Sequence, residues 1–256
     1  MLPGTNNNSL NFIATGKGNT TLVFLHYFGG SSKSWNGVIE QLKESFHCIA
    51  IDLRGFGDSP QPFEQLSVND NANDVIDLIL TLQLKQFVLI GHSMGGKIAL
   101  DVASQKPLGL TSMILIAPSP PTPEPSNDKD RIDLIFAFGN RRLIENLIKR
   151  ITAKPLSKKV FEDAVETNLQ TSHIAWNGWI EKGSREDISV LMPAIDVPVL
   201  IISGEFDPNF STEFLNEEFC KYPPAACFEE IEGGHLLPVE VPSEVAKFIE
   251  KFVYKT

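Results

Sequence analysis

The chain has 256 residues, of which 42% are hydrophobic and 21% charged. That is a globular balance, long enough for one large domain or a core carrying an insertion. Lys plus Arg number 22 against 32 Asp plus Glu, a net charge of −10, which argues against nucleic acid as a main partner because phosphate binding needs a basic footprint.

Cys48, Cys220 and Cys227 leave one thiol over in any pairing and lack metal-ligand spacing, so a reducing compartment is expected. Met1 to Asn8 carries neither a basic nor an apolar signal region, and no apolar run approaches the ~20 residues of a membrane span. The expected setting is cytoplasmic, with no integral membrane segment. Along the chain, Leu10 to Ala14 and Thr21 to His26 read as strands bracketing a Gly16 to Asn19 turn, an antiparallel start. A helical stretch from Ser34 to Glu44 leads to a strand over Phe46 to Asp52. Ser67 caps the next helix with Asp70 three residues on, and Val75, Ile76, Ile79, Leu80 and Leu82 suit its apolar face. Phe87 to Gly91 is a buried strand, Ser93 to Lys106 a helix and Ser112 to Ala117 another strand. Val197 to Ser203 and Cys227 to Glu232 add two more strands, and Pro238 to Tyr254 a final helix. Strands alternating with helices predict a mostly parallel α/β sheet.

The pattern changes between Ala117 and Val197. Pro118 to Pro125 holds five prolines in eight residues, too stiff and donor-poor for a sheet. Arg131 to Phe138, Arg142 to Ile151, Lys158 to Gln170 and Ile174 to Glu181 then read as helices. Residues 119–190 are therefore expected to form a helical insertion in a core of residues 1–118 and 191–256.

Gly91-His92-Ser93-Met94-Gly95 falls where a buried strand becomes a helix. Its glycines permit a sharp turn that presents Ser93 at a strand end, and the free amides of a helix N-terminus favour developing negative charge. A serine needs a base oriented by a third group. Asp207 follows the strand ending near Ser203, with Glu205 as the second-choice acid, and His235 follows the last strand. His92 is expected to point away from the serine, and His47 and His173 lack a strand-end setting. An oxyanion needs two donors. Met94 offers the amide after the nucleophile, and the turn His26 to Gly30 offers another, Phe28 ahead of Tyr27.

The set of motifs resembles the α/β-hydrolase fold, of the Ser-His-Asp type with a helical cap. The resemblance rests on His26-Tyr27-Phe28-Gly29-Gly30, Asp52 to Ser59, Gly91 to Gly96, Gly204 to Asp207 and Gly234-His235. Tyr27 stands where that family commonly carries glycine. The resemblance implies a mostly parallel central sheet flanked by helices, no cofactor or metal, and a small-molecule ester substrate. It implies catalysis by Ser93, Asp207 and His235, with Asp52 to Ser59 a structural turn. A serine at position 93 excludes the family's carboxylate-dependent branches and leaves carboxylesterase, perhydrolase or carbon–carbon hydrolase chemistry. A ligand receptor on the same fold is the alternative outside enzymes.

For the substrate pocket, Tyr27, Phe136, Phe138, Trp176, Trp179 and Leu236 are expected to line the site. Trp176 and Trp179 lie three apart on one helix. Arg141 to Lys159 holds seven basic residues and one acid, read as a solvated helix face. Its Leu143, Ile144, Leu147, Ile148 and Ile151 form the opposite, apolar side.

Overall fold

A computed structural model describes residues 9–222 and 226–255. The N-terminal segment read for a signal lies outside the described residues. The chain runs β1 (Phe12–Thr15), β2 (Thr21–Leu25), α1 (Asn36–Leu42), β3 (His47–Ile51), α2 (Val68–Thr81), β4 (Phe87–His92), α3 (Met94–Ser104) and β5 (Leu110–Ile116). Four helices follow, α4 (Asp128–Ala137), α5 (Arg141–Ile151), α6 (Lys158–Gln170) and α7 (His173–Glu181). The chain ends with β6 (Val199–Gly204), α8 (Thr212–Phe219), β7 (Cys227–Ile231), the short α9 (Leu237–Glu240) and α10 (Pro242–Val253).

The strands form one sheet in the order β1-β3-β2-β4-β5-β6-β7. Only the β1–β3 pairing is antiparallel. Strand alternation sorts the core into two layers. Val23, Leu25, Leu89 and Leu115 pack against α2, α3 and α8, while Leu22, Phe24, Ile90 and Ile114 pack against α1 and α10.

Two sequence expectations are corrected. β1 does not pair with β2: both edges of β2 are taken by β3 and β4. β2 is buried throughout, whereas β1 is largely exposed and suits a sheet edge. Leu80 is 62% exposed, because the buried stripe of α2 runs through Val68, Ala72, Val75, Leu78 and Ile79. The predicted capping box is present, with the Ser67 side chain accepting from the Asp70 amide and Asp70 accepting from the Ser67 amide. Helix α8 was not foreseen; its start is marked by Ser211, whose side chain accepts from the Phe214 amide.

Each helix of the α4–α7 group begins at an Asn or Ser whose side chain accepts from a first-turn amide: Asn127, Asn140, Ser157 and Ser172. Their inner faces, including Ile144, Ile148, Val165, Trp176 and Ile180, gather on Tyr27 and Leu236 of the sheet-borne loops. In the basic stretch that includes α5, Arg141 reaches Glu145, Glu162 and Glu166, Lys154 reaches Glu232 and Lys159 reaches Asp163. Among the described residues, no helix is long and apolar enough to cross a membrane.

Candidate active site

The chain order β2, β3, β4 against the spatial order β3-β2-β4 reverses the direction of winding at β2 and β4. Loops leaving the carboxyl ends of such neighbouring strands diverge and open a crevice. The Tyr27 to Gly30 turn and Ser93 both stand at this edge.

Ser93 is held at φ +53° and ψ −117° between β4 and α3, a region that costs a non-glycine residue strain. The strain persists because the turn is over-determined. The Ser93 amide donates to Ile116, and its carbonyl accepts from Gly96 and Ser119 at 2.8 and 3.0 Å. The glycines are needed for space: a Cβ on Gly91 would lie 2.4 Å from the Gly95 carbonyl oxygen, and one on Gly95 would lie 2.5 Å from that of Leu25.

His235 brings Nε2 to 2.8 Å from Ser93 Oγ and Nδ1 to 2.8 Å from Asp207 Oδ2. A carboxylate only accepts, so Nδ1 donates to it; in the neutral ring Nε2 is left as an acceptor for the Ser93 hydroxyl. Asp207 Oδ1 meanwhile accepts from the amides of Asn209 and Phe210. All three residues are buried. Burial alone would pull the His235 pKa down, but the charge and hydrogen bond of Asp207 outweigh it and hold the ring above its ordinary 6.5, with Glu124 and Glu240 adding to the effect. Glu205 is not the histidine's partner; it is exposed, and its amide donates to Ile231.

Buried His26 is structural. His26 donates from Nδ1 to the Tyr27 carbonyl and accepts at Nε2 from the Leu53 amide, and burial pulls its pKa to about 4. The Asp52 carboxylate accepts from the Ser32 and Asp58 amides and from the Asn11 side chain. The Asp52 to Ser59 turn is thus a brace between loops.

A cavity of about 310 Å³ opens onto Ser93 and His235. Of the side chains expected there, Tyr27 and Trp179 line it, as does Phe28. Four do not. Phe136 is 71% exposed. Phe138 packs against His173 and Trp176, with ring centroids 4.8 and 6.0 Å away. Trp176 is fully buried, donates to the Leu134 carbonyl and packs against Phe28 with ring centroids 4.5 Å apart and planes tilted by 46°. Leu236 is buried in the same apolar cluster. Trp176 and Trp179, about 60° apart around α7, part company: Trp176 joins the α4–α7 cluster and Trp179 the core cluster on the sheet.

The cavity also recruits residues not foreseen from sequence, among them Glu124, Arg131, Leu147 and Asn168. Glu124 lies in the proline-rich stretch and accepts from Ser119 Oγ at 2.7 Å. Burial pushes its carboxyl up from the ordinary value, restrained by the Ser119 bond and by Lys97, His235 and Arg131. An acid among five prolines is the one hint in the sequence. Glu240 is a second unforeseen residue. Its carboxylate accepts from the amides of Ala153, Lys154, Gly234 and Leu236 at 2.7 to 3.1 Å, and the His235 amide donates to Ile151 at 2.8 Å. The histidine loop is thereby tied to the end of α5. Among the described residues, no group of three or more His, Cys, Asp or Glu side chains could hold a metal ion.

Comparison with known proteins gives a consistent picture. A family model described as "alpha/beta hydrolase fold" matches residues 20–154. The AB hydrolase superfamily protein YisY of Bacillus subtilis is 30% identical over 210 residues, 77% of either chain. Another Bacillus subtilis protein, with the provisional name 2-succinyl-6-hydroxy-2,4-cyclohexadiene-1-carboxylate synthase, is 27% identical and aligns over 91% of this chain and 89% of its own. Among solved structures, a thermophilic esterase from Thermogutta terrifontis superposes with a TM-score of 0.82 at 27% identity, covering 96% of this chain and 93% of the other.

Proposed function

The chain belongs to the α/β-hydrolase-fold family, and from that premise we propose that it is a serine hydrolase of carboxylic esters with an apolar acyl group. The observation that carries this reading is the relay Ser93–His235–Asp207, with both links at 2.8 Å, at the floor of a cavity. The esterase named in the Thermogutta comparison supports it at the level of reaction class. In this reading residues 1–118 and 191–256 are the hydrolase core, and residues 119–190 are a helical cap over the site.

Ser93 Oγ attacks the ester carbonyl carbon while His235 Nε2 takes the hydroxyl proton. Asp207 keeps the imidazole in the Nδ1–H tautomer and offsets the positive charge that develops. The amides of Met94 and Phe28 hold the oxyanion of the tetrahedral intermediate. Collapse breaks the bond to the alkoxide, which leaves with the proton carried by His235. A water then gives its proton to His235 and attacks the acyl–Ser93 ester, releasing the acid and restoring the hydroxyl.

The test is hydrolysis of p-nitrophenyl butyrate by the wild type and by Ser93→Ala. Turnover that falls by at least about a thousandfold in a folded variant is expected, and undiminished turnover overturns the assignment. A second reading, a non-hydrolytic reaction at the same serine, rests on the synthase name of the Bacillus relative. An acyl–Ser93 adduct trapped in acid and seen by mass spectrometry separates the two, because hydrolysis passes through it.

A further inference from the structure

The cavity over Ser93 has a neighbour. Between α4 and α5 lies a groove of about 280 Å³, walled mainly by Leu134, Phe136, Leu143 and Leu147. Leu134, Leu147 and Arg150 line this groove and the Ser93 cavity alike. The inner wall of one hollow is therefore the outer wall of the other, and it consists of three side chains from two helices. Arg150 is exposed, so its stem can cover apolar surface while its guanidinium remains in water.

The groove opens on an unusual surface. Ile132, Ile135, Phe136 and Leu143 are 49%, 37%, 71% and 38% exposed, four large apolar side chains on the same two helices. Helix α4 carries apolar residues around its whole circumference and buries few of them, leaving apolar area in water. A folded partner seated on that surface could not reach past Leu134 and Leu147 to the serine. A flexible alkyl chain needs only those side chains to part, and each methylene that leaves water favours its burial there.

We infer that the α4–α5 groove receives the distal part of a long alkyl chain of the ester, while its proximal part and the scissile carbonyl occupy the Ser93 cavity. The inference rests on the reading of Ser93 as the nucleophile. It makes the apolar group of the proposed ester a long chain, and it gives the exposed Phe136 a role as the far lip of the binding surface.

The test compares kcat/KM for p-nitrophenyl butyrate and p-nitrophenyl decanoate in the wild type, Asn146→Trp and Leu143→Asp. Asn146 is exposed and lines only the outer groove, as does Leu143. An indole at position 146 fills the groove, and a carboxylate at 143 replaces part of its apolar wall with a second acid beside Asp133. The wild type is expected to prefer the decanoate. Both variants are expected to lose at least tenfold in the decanoate-to-butyrate ratio while butyrate turnover stays within twofold. A parallel series of butyl and decyl acetates tells whether the chain lies on the acyl or the alcohol side. No long-chain preference in either series, or an unchanged ratio in both variants, overturns the inference. If no ester is hydrolysed, the reading of Ser93 fails by itself. The groove is then judged by calorimetry with 1-decanol and 1-butanol. Decanol binding lost in Asn146→Trp upholds it, and equal or absent decanol binding in both proteins overturns it.

Discussion

His92 donates from Nε2 to the main-chain carbonyl of His235 at 2.8 Å. The residue preceding the candidate nucleophile therefore holds the backbone of the candidate base, 143 positions away in sequence. A carbonyl only accepts, so this bond sets the His92 tautomer, and its Nδ1 has no hydrogen-bond partner among the described residues. Burial, helped by the nearby charge of His235, keeps the ring well below its ordinary pKa and therefore neutral.

Replacing His92 with Ala leaves the His235 carbonyl unpaired in a buried site, a cost of about 1–3 kcal/mol. A roughly tenfold fall in kcat with little change in KM is expected, because about 1.4 kcal/mol is a factor of ten. His92→Gln, whose amide can donate, should recover part of the loss. Steady-state kinetics of both variants checks this; a loss of stability with kcat intact would leave His92 a purely structural residue.

The pH profile should carry the signature of His235. As a base it must be neutral, so kcat/KM falls as pH drops through the folded-state pKa, which lies above 6.5. Glu124→Gln removes one of the negative charges that raise it, and the acid limb should move to lower pH. The same shift enters stability with the opposite sense: the contribution of protonated His235 is full below pH 6.5 and is lost as pH rises through the raised value. Rate profiles from pH 5 to 9 for the two proteins test the direction.

Lys97 lies one turn after Ser93, fully buried, and donates to the carbonyls of Thr122 and Glu186 at 3.0 and 2.5 Å. Burial pulls its pKa to about 8 from 10.5, against the restraint of Glu124, Glu186 and Asp187. Between those values the unfolded chain binds a proton that the folded chain lacks, so stability contributed by this residue rises with pH. The integrated effect is on the order of 3 kcal/mol. Urea unfolding at pH 7.5, 9 and 10.5 should show the wild type gaining on Lys97→Met across the series. A constant gap would contradict it.

Glu240 gathers four main-chain amides from the histidine loop and the segment after α5. Glu240→Ala strips the charged acceptor from these four amides, and a loss of about 3 kcal/mol is expected. Turnover should fall with it, since the same amides position His235. Thermal unfolding and kinetics of the variant test both halves.

What could be read from the sequence is what depends on neighbours along the chain. Gly91 and Gly95 around Ser93 mark a turn that no larger residue fits, and Ser67 with Asp70 marks a helix start. Asp207 and His235 each follow a strand, and a parallel sheet brings strand ends to one edge whatever their separation in sequence. Periodicity likewise marked the four helices between β5 and β6, because an apolar stripe every 3.6 residues is a local property. It does not say which surface that stripe meets. Tyr27 and Trp179 line the cavity while Phe138, Trp176 and Leu236 pack the helices together and Phe136 stands in solvent, a division made by the docking of α4–α7. Glu124, Glu240 and His92 act across 111, 87 and 143 positions, distances that only the folded chain closes. Tertiary packing made those assignments because burial and electrostatic partnership belong to the space around a side chain, not to its place in the chain.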